Sequence, residues 1–146
     1  MITAIDTNIL LDLLIPGAPH GTQSEEALER AGTEGRLLIC PEVYAELAGA
    51  FPERAALDAF LGATGLELDS PNADGLFAAG AAWRDYLRNR GESARCPSCG
   101  TGLTIRQHLV ADFLIGAHAL TRADRLLTRD RGFFRTYFNS LPLQET

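Results

Sequence analysis

A chain of 146 residues is the size of one domain, 1–146, and its formal charge of −6 would ordinarily argue against a nucleic-acid partner. The charge is divided unevenly: residues 1–83 hold 13 acids and 3 arginines, a balance of −10, while residues 84–146 hold 6 acids and 10 arginines, a balance of +4. Lysine is absent, which excludes a P-loop, a Schiff-base lysine and a Ser-Lys pair, and the lack of any run of about 18 apolar residues excludes a transmembrane helix.

The first residues do not read as a signal peptide, because Asp6 interrupts the apolar stretch and no basic region precedes it. The expected compartment is therefore the cytoplasm. Met1 to Ile5 reads as a short buried strand, with Asn8 capping a helix through Ile9 to Leu14 that ends at Pro16-Gly17. An amphipathic helix is predicted near Thr22 to Ala31, then a strand over Arg36 to Cys40. Pro41 opens the next helix in the one turn that tolerates proline, with Val43, Tyr44, Leu47 and Ala48 as its apolar stripe.

A helix near Glu53 to Leu61, a strand Leu66 to Leu68 and a long helix introduced by Ser70-Pro71 and reaching about Arg90 follow. Residues 91–104 break the pattern with Gly, Ser and a Cys96-Pro97-Ser98-Cys99-Gly100 knuckle, and are read as an insertion. The remainder reads as a helix His108 to Leu120, a strand Arg125 to Thr128, a short helix near Phe133 to Phe138 and a last strand Leu141 to Leu143. Alternating strands and helices favour a parallel sheet covered on both faces.

Four carboxylates stand where a charge is costly unless something compensates it: Asp6 and Asp130 just past strands, Glu46 beside an apolar helix stripe, and Asp112 between Ala111 and Phe113. Sites in open parallel sheets form at the carboxyl ends of the strands, so convergence of these acids on divalent cations is expected. Hard cations such as Mg²⁺ or Mn²⁺ take oxygen ligands and keep waters for a phosphate substrate. Glu42 competes with Glu46 on the same helix, and Asp130 admits a second reading as a cap on the helix near Phe133. Asp12, Asp58, Asp69, Asp74, Asp85 and Asp124 are read as solvent-facing, and His118 as a packed helix residue.

The Cys96/Cys99 knuckle has the form of half a structural Zn²⁺ site, with His108, Cys40 or the same pair from a second subunit as further ligands. A reversible disulfide and an unoccupied remnant are the rival readings. Eight arginines, Arg84, Arg88, Arg90, Arg95, Arg106, Arg129, Arg131 and Arg135, are candidates for a phosphate-facing surface.

The segments Ile5-Asp6-Thr7-Asn8, Val43-Tyr44-Ala45-Glu46-Leu47, Ala111 to Ala119 and Leu126-Leu127-Thr128-Arg129-Asp130, in that order and spacing, resemble the PIN-domain ribonucleases and most closely their VapC toxins. The resemblance covers nearly the whole chain except residues 91–104. It implies a three-layer α/β/α sandwich with a central parallel sheet, and metal-dependent cleavage of RNA with Asp6, Glu46, Asp112 and Asp130 as both catalytic and metal-holding acids. It also implies Thr7 and Thr128 as hydroxyls that orient those carboxylates, a small cognate antitoxin as partner, and a homodimer. Two rivals are a non-catalytic PIN scaffold that binds RNA or protein, and an aspartate-nucleophile phosphohydrolase. The latter needs an aspartate at position 8, where Asn8 stands, and a lysine the chain lacks.

Overall fold

The computed structural model describes residues 1–90, 99–101 and 110–146. Five parallel strands form one sheet: β1 (Ile2–Ile5), β2 (Arg36–Ile39), β3 (Leu66–Leu68), β4 (Arg125–Leu127) and β5 (Leu143–Gln144), in the order β3-β2-β1-β4-β5. Seven helices are described with it: α1 (Thr7–Leu14), α2 (Gly21–Glu34), α3 (Pro41–Ala48), α4 (Arg54–Thr64), α5 (Ala73–Arg90), α6 (Ala111–Arg122) and α7 (Arg131–Tyr137). The helices flank the sheet as the parallel-strand reading required.

Central β1 pairs Ala4 with Leu38 of β2 on one side and with Leu126 of β4 on the other. All three residues are buried, as are Ile5, Ile39 and Leu127 beside them. A central strand of a doubly covered sheet has two apolar faces to satisfy, hence continuous rather than alternating hydrophobicity. Because all strands run the same way, their carboxyl ends share one rim. Asp6, Cys40, Asp69 and Thr128 each stand one residue past a strand there.

Element ends shift by a few residues from the predicted ones. Helix α1 starts at Thr7 with Asp6 as its N-cap, so Asn8 is inside the helix instead of capping it. Its side chain is drawn off to Asp6 and Thr128. Helix α7 begins at Arg131 rather than near Phe133, because the Asp130 carboxylate accepts the Phe133 amide at 3.1 Å and caps the first turn. His108, expected at the start of α6, lies outside the described residues, and α6 runs on to Arg122, whose guanidinium binds Asp69.

Helices α5 and α6 pack against each other through an aromatic group: Trp83, Tyr86 and Phe113, joined by Phe133 and Tyr137 of α7. Gly116 of α6 sits directly under the Phe138 ring, which occupies the space a Cβ would need. That ring is only 4 % exposed and has little room to retreat. Gly116→Ala is expected to cost about 1–2 kcal/mol, the strain of overpacking exceeding alanine's helix preference. A urea midpoint equal to or above the wild type would contradict this.

Candidate active site

Asp6 is the N-cap of α1, and its own amide donates to Leu127 O at 3.1 Å, extending the β1–β4 ladder past the last paired residues. Its side chain is 4 % exposed. One carboxylate oxygen, Oδ2, accepts from the Thr128 hydroxyl and from Asn8 Nδ2, both at 2.6 Å. Burial pushes the Asp6 carboxyl up to about 6; the Thr128 hydroxyl opposes this, while the negative charges of Asp112 and Glu46 push the same way as burial.

The structure thus brings Asp6, Glu46 and Asp112 together from β1–α1, α3 and α6. Glu46 is exposed and accepts the Thr7 hydroxyl on Oε2. Asp112 lies in the first turn of α6, where the helix dipole favours an anion. The Asp130 backbone, not its carboxylate, is tied to the group: its amide donates to Thr128 Oγ1 at 3.0 Å. Its carboxylate also serves the capping role that the sequence left open. Thr7 and Thr128 contact Glu46 and Asp6 as the resemblance implied. Asn8, expected only as a cap, bridges the site: Nδ2 donates to Asp6, and Oδ1 accepts the Arg129 amide at 3.2 Å.

No His, Cys, Asp or Glu set of three or more among the described residues is already drawn tightly enough to hold a metal ion. Like charges repel, and Mg²⁺ or Mn²⁺ binds through only one or two carboxylates while keeping several waters. The donor set fits such an ion: hard oxygens, with a buried carboxylate that forms no ion pair with any Arg or His among the described residues. A nearby dication would favour the charged form of Asp6, reversing the upward push on its pKa.

Two aspartates read as solvent-facing are instead built into the fold. Asp12 is 8 % exposed, accepts the Ser24 hydroxyl at 2.6 Å and pairs with Arg129 Nε at 2.7 Å. Asp69 accepts from Arg122 Nε at 2.8 Å and Nη2 at 2.9 Å, and lies 3.0 Å from His118 Nε2. His118 is buried, as expected, but its Nε2 also hydrogen-bonds Asp69, and burial lowers its pKa against the opposing pull of that carboxylate. For Asp12 a signal was present in the sequence. It interrupts the apolar run Ile9 to Leu14 just as Asp112 interrupts its own.

Several arginines of the expected phosphate-facing surface are engaged by acids: Arg129 with Asp12, Arg131 with Glu145, and Arg88 with Asp85 at 3.8 Å. Arg84 and Arg135 are exposed and make no ion pair among the described residues. Arg95 and Arg106 lie outside the described residues, and the Arg90 side chain is likewise not described. Of the zinc candidates, Cys96 and His108 also lie outside them. Cys99 is exposed, with Sγ 3.3 Å from Thr101 Oγ1. Cys40 is 1 % exposed, and burial pushes its thiol up to about 12, so without a metal it is a protonated core residue.

The family model for the PIN domain matches residues 3–139. The chain belongs to the PIN domain family. Two solved structures share its fold along its whole length: VapBC2 from Rickettsia felis bound to a DNA fragment from their promoter, and VapBC-1 from nontypeable Haemophilus influenzae. The first is 24% identical with a TM-score of 0.64, the alignment covering 99% of this chain and 98% of that one. The second is 22% identical with a TM-score of 0.65 and the same coverage. No curated protein matches the chain. Among the described residues no helix is long and apolar enough to cross a membrane.

Proposed function

We propose that the chain is a Mg²⁺- or Mn²⁺-dependent endoribonuclease and the toxin of a VapBC-type toxin–antitoxin pair. It would act in the cytoplasm as a homodimer and be held in check by a small cognate antitoxin. One observation carries the catalytic reading: a buried Asp6 carboxylate faces the charges of Glu46 and Asp112 at the strand rim. Membership of the PIN family and the VapBC fold relatives support it.

On this reading Asp6, Glu46, Asp112 and Asp130 are the acids that would hold divalent cations, one or two of them to an ion. When bound, a divalent cation supplies an acidified water and positive charge to offset that gathering on the phosphate. The chain's own groups do the rest. Thr128 and Asn8 fix Asp6 through Oδ2, while the Thr7 hydroxyl steadies Glu46. Neither step needs a lysine, which the chain lacks. For the Cys96/Cys99 knuckle we keep the structural Zn²⁺ reading, and metal analysis of the purified protein showing less than about a tenth of an equivalent of zinc would end it.

The activity is tested on purified protein with single-stranded and hairpin RNA. Cleavage should require Mg²⁺ or Mn²⁺, stop with excess chelator and return on adding the metal back. Asp112→Asn should bind RNA yet cut it at least about a hundredfold more slowly. Binding without cutting in the wild type, under any divalent ion, would move the protein to the scaffold reading.

A further inference from the structure

Arg129 stands between Thr128, whose hydroxyl holds Asp6, and Asp130. Its amide is bound by Asn8 Oδ1, and Asn8 Nδ2 in turn binds Asp6. The backbone of this arginine is therefore pinned to the wall of the acidic cleft. A flexible guanidinium tethered there has an obvious destination, because the Asp6 carboxylate is bound by the other end of the same Asn8 amide and a planar fork pairs well with a carboxylate.

The side chain goes elsewhere. Its Nε lies 2.7 Å from Asp12 Oδ2, and its Nη2 donates to Asp12 Oδ1 at 3.0 Å, a two-point clasp. Nη2 also reaches the Asn8 carbonyl at 3.4 Å. Asp12 is 8 % exposed, and a carboxylate so placed is costly unless its lone pairs are used. The wholly buried Ser24 of α2 completes it, donating to Oδ2 at 2.6 Å.

We propose that Asp12, backed by Ser24, is a positioning residue that holds the Arg129 guanidinium out of the acidic cleft and so keeps the carboxylates available to divalent cations. The role rests on the reading that the cleft takes such cations. Without the clasp, Arg129 turns inward and becomes an internal competitor, an ion pair where a metal would sit.

Mn²⁺ binding to the full-length chain, followed by isothermal titration calorimetry at neutral pH, separates the alternatives. Asp12→Asn should weaken Mn²⁺ binding about tenfold, within the range of couplings between neighbouring charged groups. Adding Arg129→Gln to that variant should restore affinity to within about twofold of wild type, and Arg129→Gln alone should bind like wild type. A merely structural Asp12 would give no such rescue. Asp12→Asn binding as tightly as wild type, or a double variant as weak as Asp12→Asn, overturns the proposal.

If Asp12→Asn does not fold, Ser24→Ala slackens the clasp without removing it. A loss of about threefold that Arg129→Gln reverses then supports the role, and unchanged affinity overturns it. Wild-type protein that takes up no Mn²⁺ would instead sink the metal reading of the cleft itself, and this role with it.

Discussion

Asp6→Asn is expected to slow RNA cleavage by about a thousandfold or more while leaving the fold intact and, in cation-free protein at neutral pH, somewhat more stable. The two halves of this expectation share one cause. The Asp6 carboxyl is pushed from its ordinary 3.8 to about 6, first by burial and further by Asp112 and Glu46. The folded chain therefore holds a proton through a window, from about pH 4 to pH 6, in which the unfolded chain has released it. Stability falls as pH rises through that window.

At pH 7 the cost of keeping Asp6 charged is about 3 kcal/mol, since each tenfold change in proton affinity is worth about 1.4 kcal/mol. Asparagine removes the charge and keeps the size. Its gain falls short of that ceiling, because a neutral amide oxygen is a weaker acceptor for Thr128 and Asn8 than the charged carboxylate oxygen. Thermal unfolding with and without Mn²⁺ gives the check: the ion should raise the wild-type midpoint and leave that of Asp6→Asn nearly unmoved. Cleavage at the wild-type rate by Asp6→Asn, or equal Mn²⁺ stabilisation of both, would remove Asp6 from the site.

Asp69→Ala should be among the most destabilising single changes outside the core, by about 2–3 kcal/mol, with Mn²⁺ affinity unchanged. It deprives Arg122 of both its acceptors and leaves the His118 Nε2–H buried without a partner. The pH dependence carries a second signature. Arg122, and then His118, hold the Asp69 carboxyl at about 2, so its contribution is complete above 3.8 and is lost as pH falls towards 2. Burial lowers His118, so its contribution is present above 6.5 and is lost as pH falls through its folded value.

Asp69 opposes that lowering. Removing it sends the His118 pKa lower still and makes the variant lose stability more steeply just below pH 6.5 than the wild type does. Denaturant midpoints across pH 4–8 test this, and parallel curves for the two proteins would show that His118 and Asp69 are not coupled.

The sheet is legible in the sequence because its strands are continuous apolar runs: Ile39 and Leu127 are buried on a face that polar alternation would have exposed. Helix ends are less so. A cap is a local contest, and Asn8 loses its expected place because Asp6 and Thr128 offer its side chain better partners. Asp130 shows the opposite case, since a capping aspartate pulls the start of α7 back to Arg131.

Asp12 interrupts an apolar run, yet what it and Asp69 pair with escapes a local reading because those partners are remote. Arg129 lies 117 positions from Asp12, and Arg122 lies 53 from Asp69, so no local pattern announces either pair. The same distance hides the fate of the arginines. A count shows the second half of the chain to be basic, but not that Arg129 and Arg131 are already satisfied by acids of their own.

Hydrophobic period and residue type, properties of neighbours along the chain, determined by themselves the alternation of strands and helices and put Asp6 and Thr128 at strand ends. Which charges meet was decided only by the tertiary structure. Electrostatic partnership depends on distances through space and on burial, and α1, α3, α6 and the β4–α7 turn become neighbours only once the parallel sheet has formed. That assembly alone placed Glu46 and Asp112 beside Asp6, and turned Arg129 away from them to Asp12.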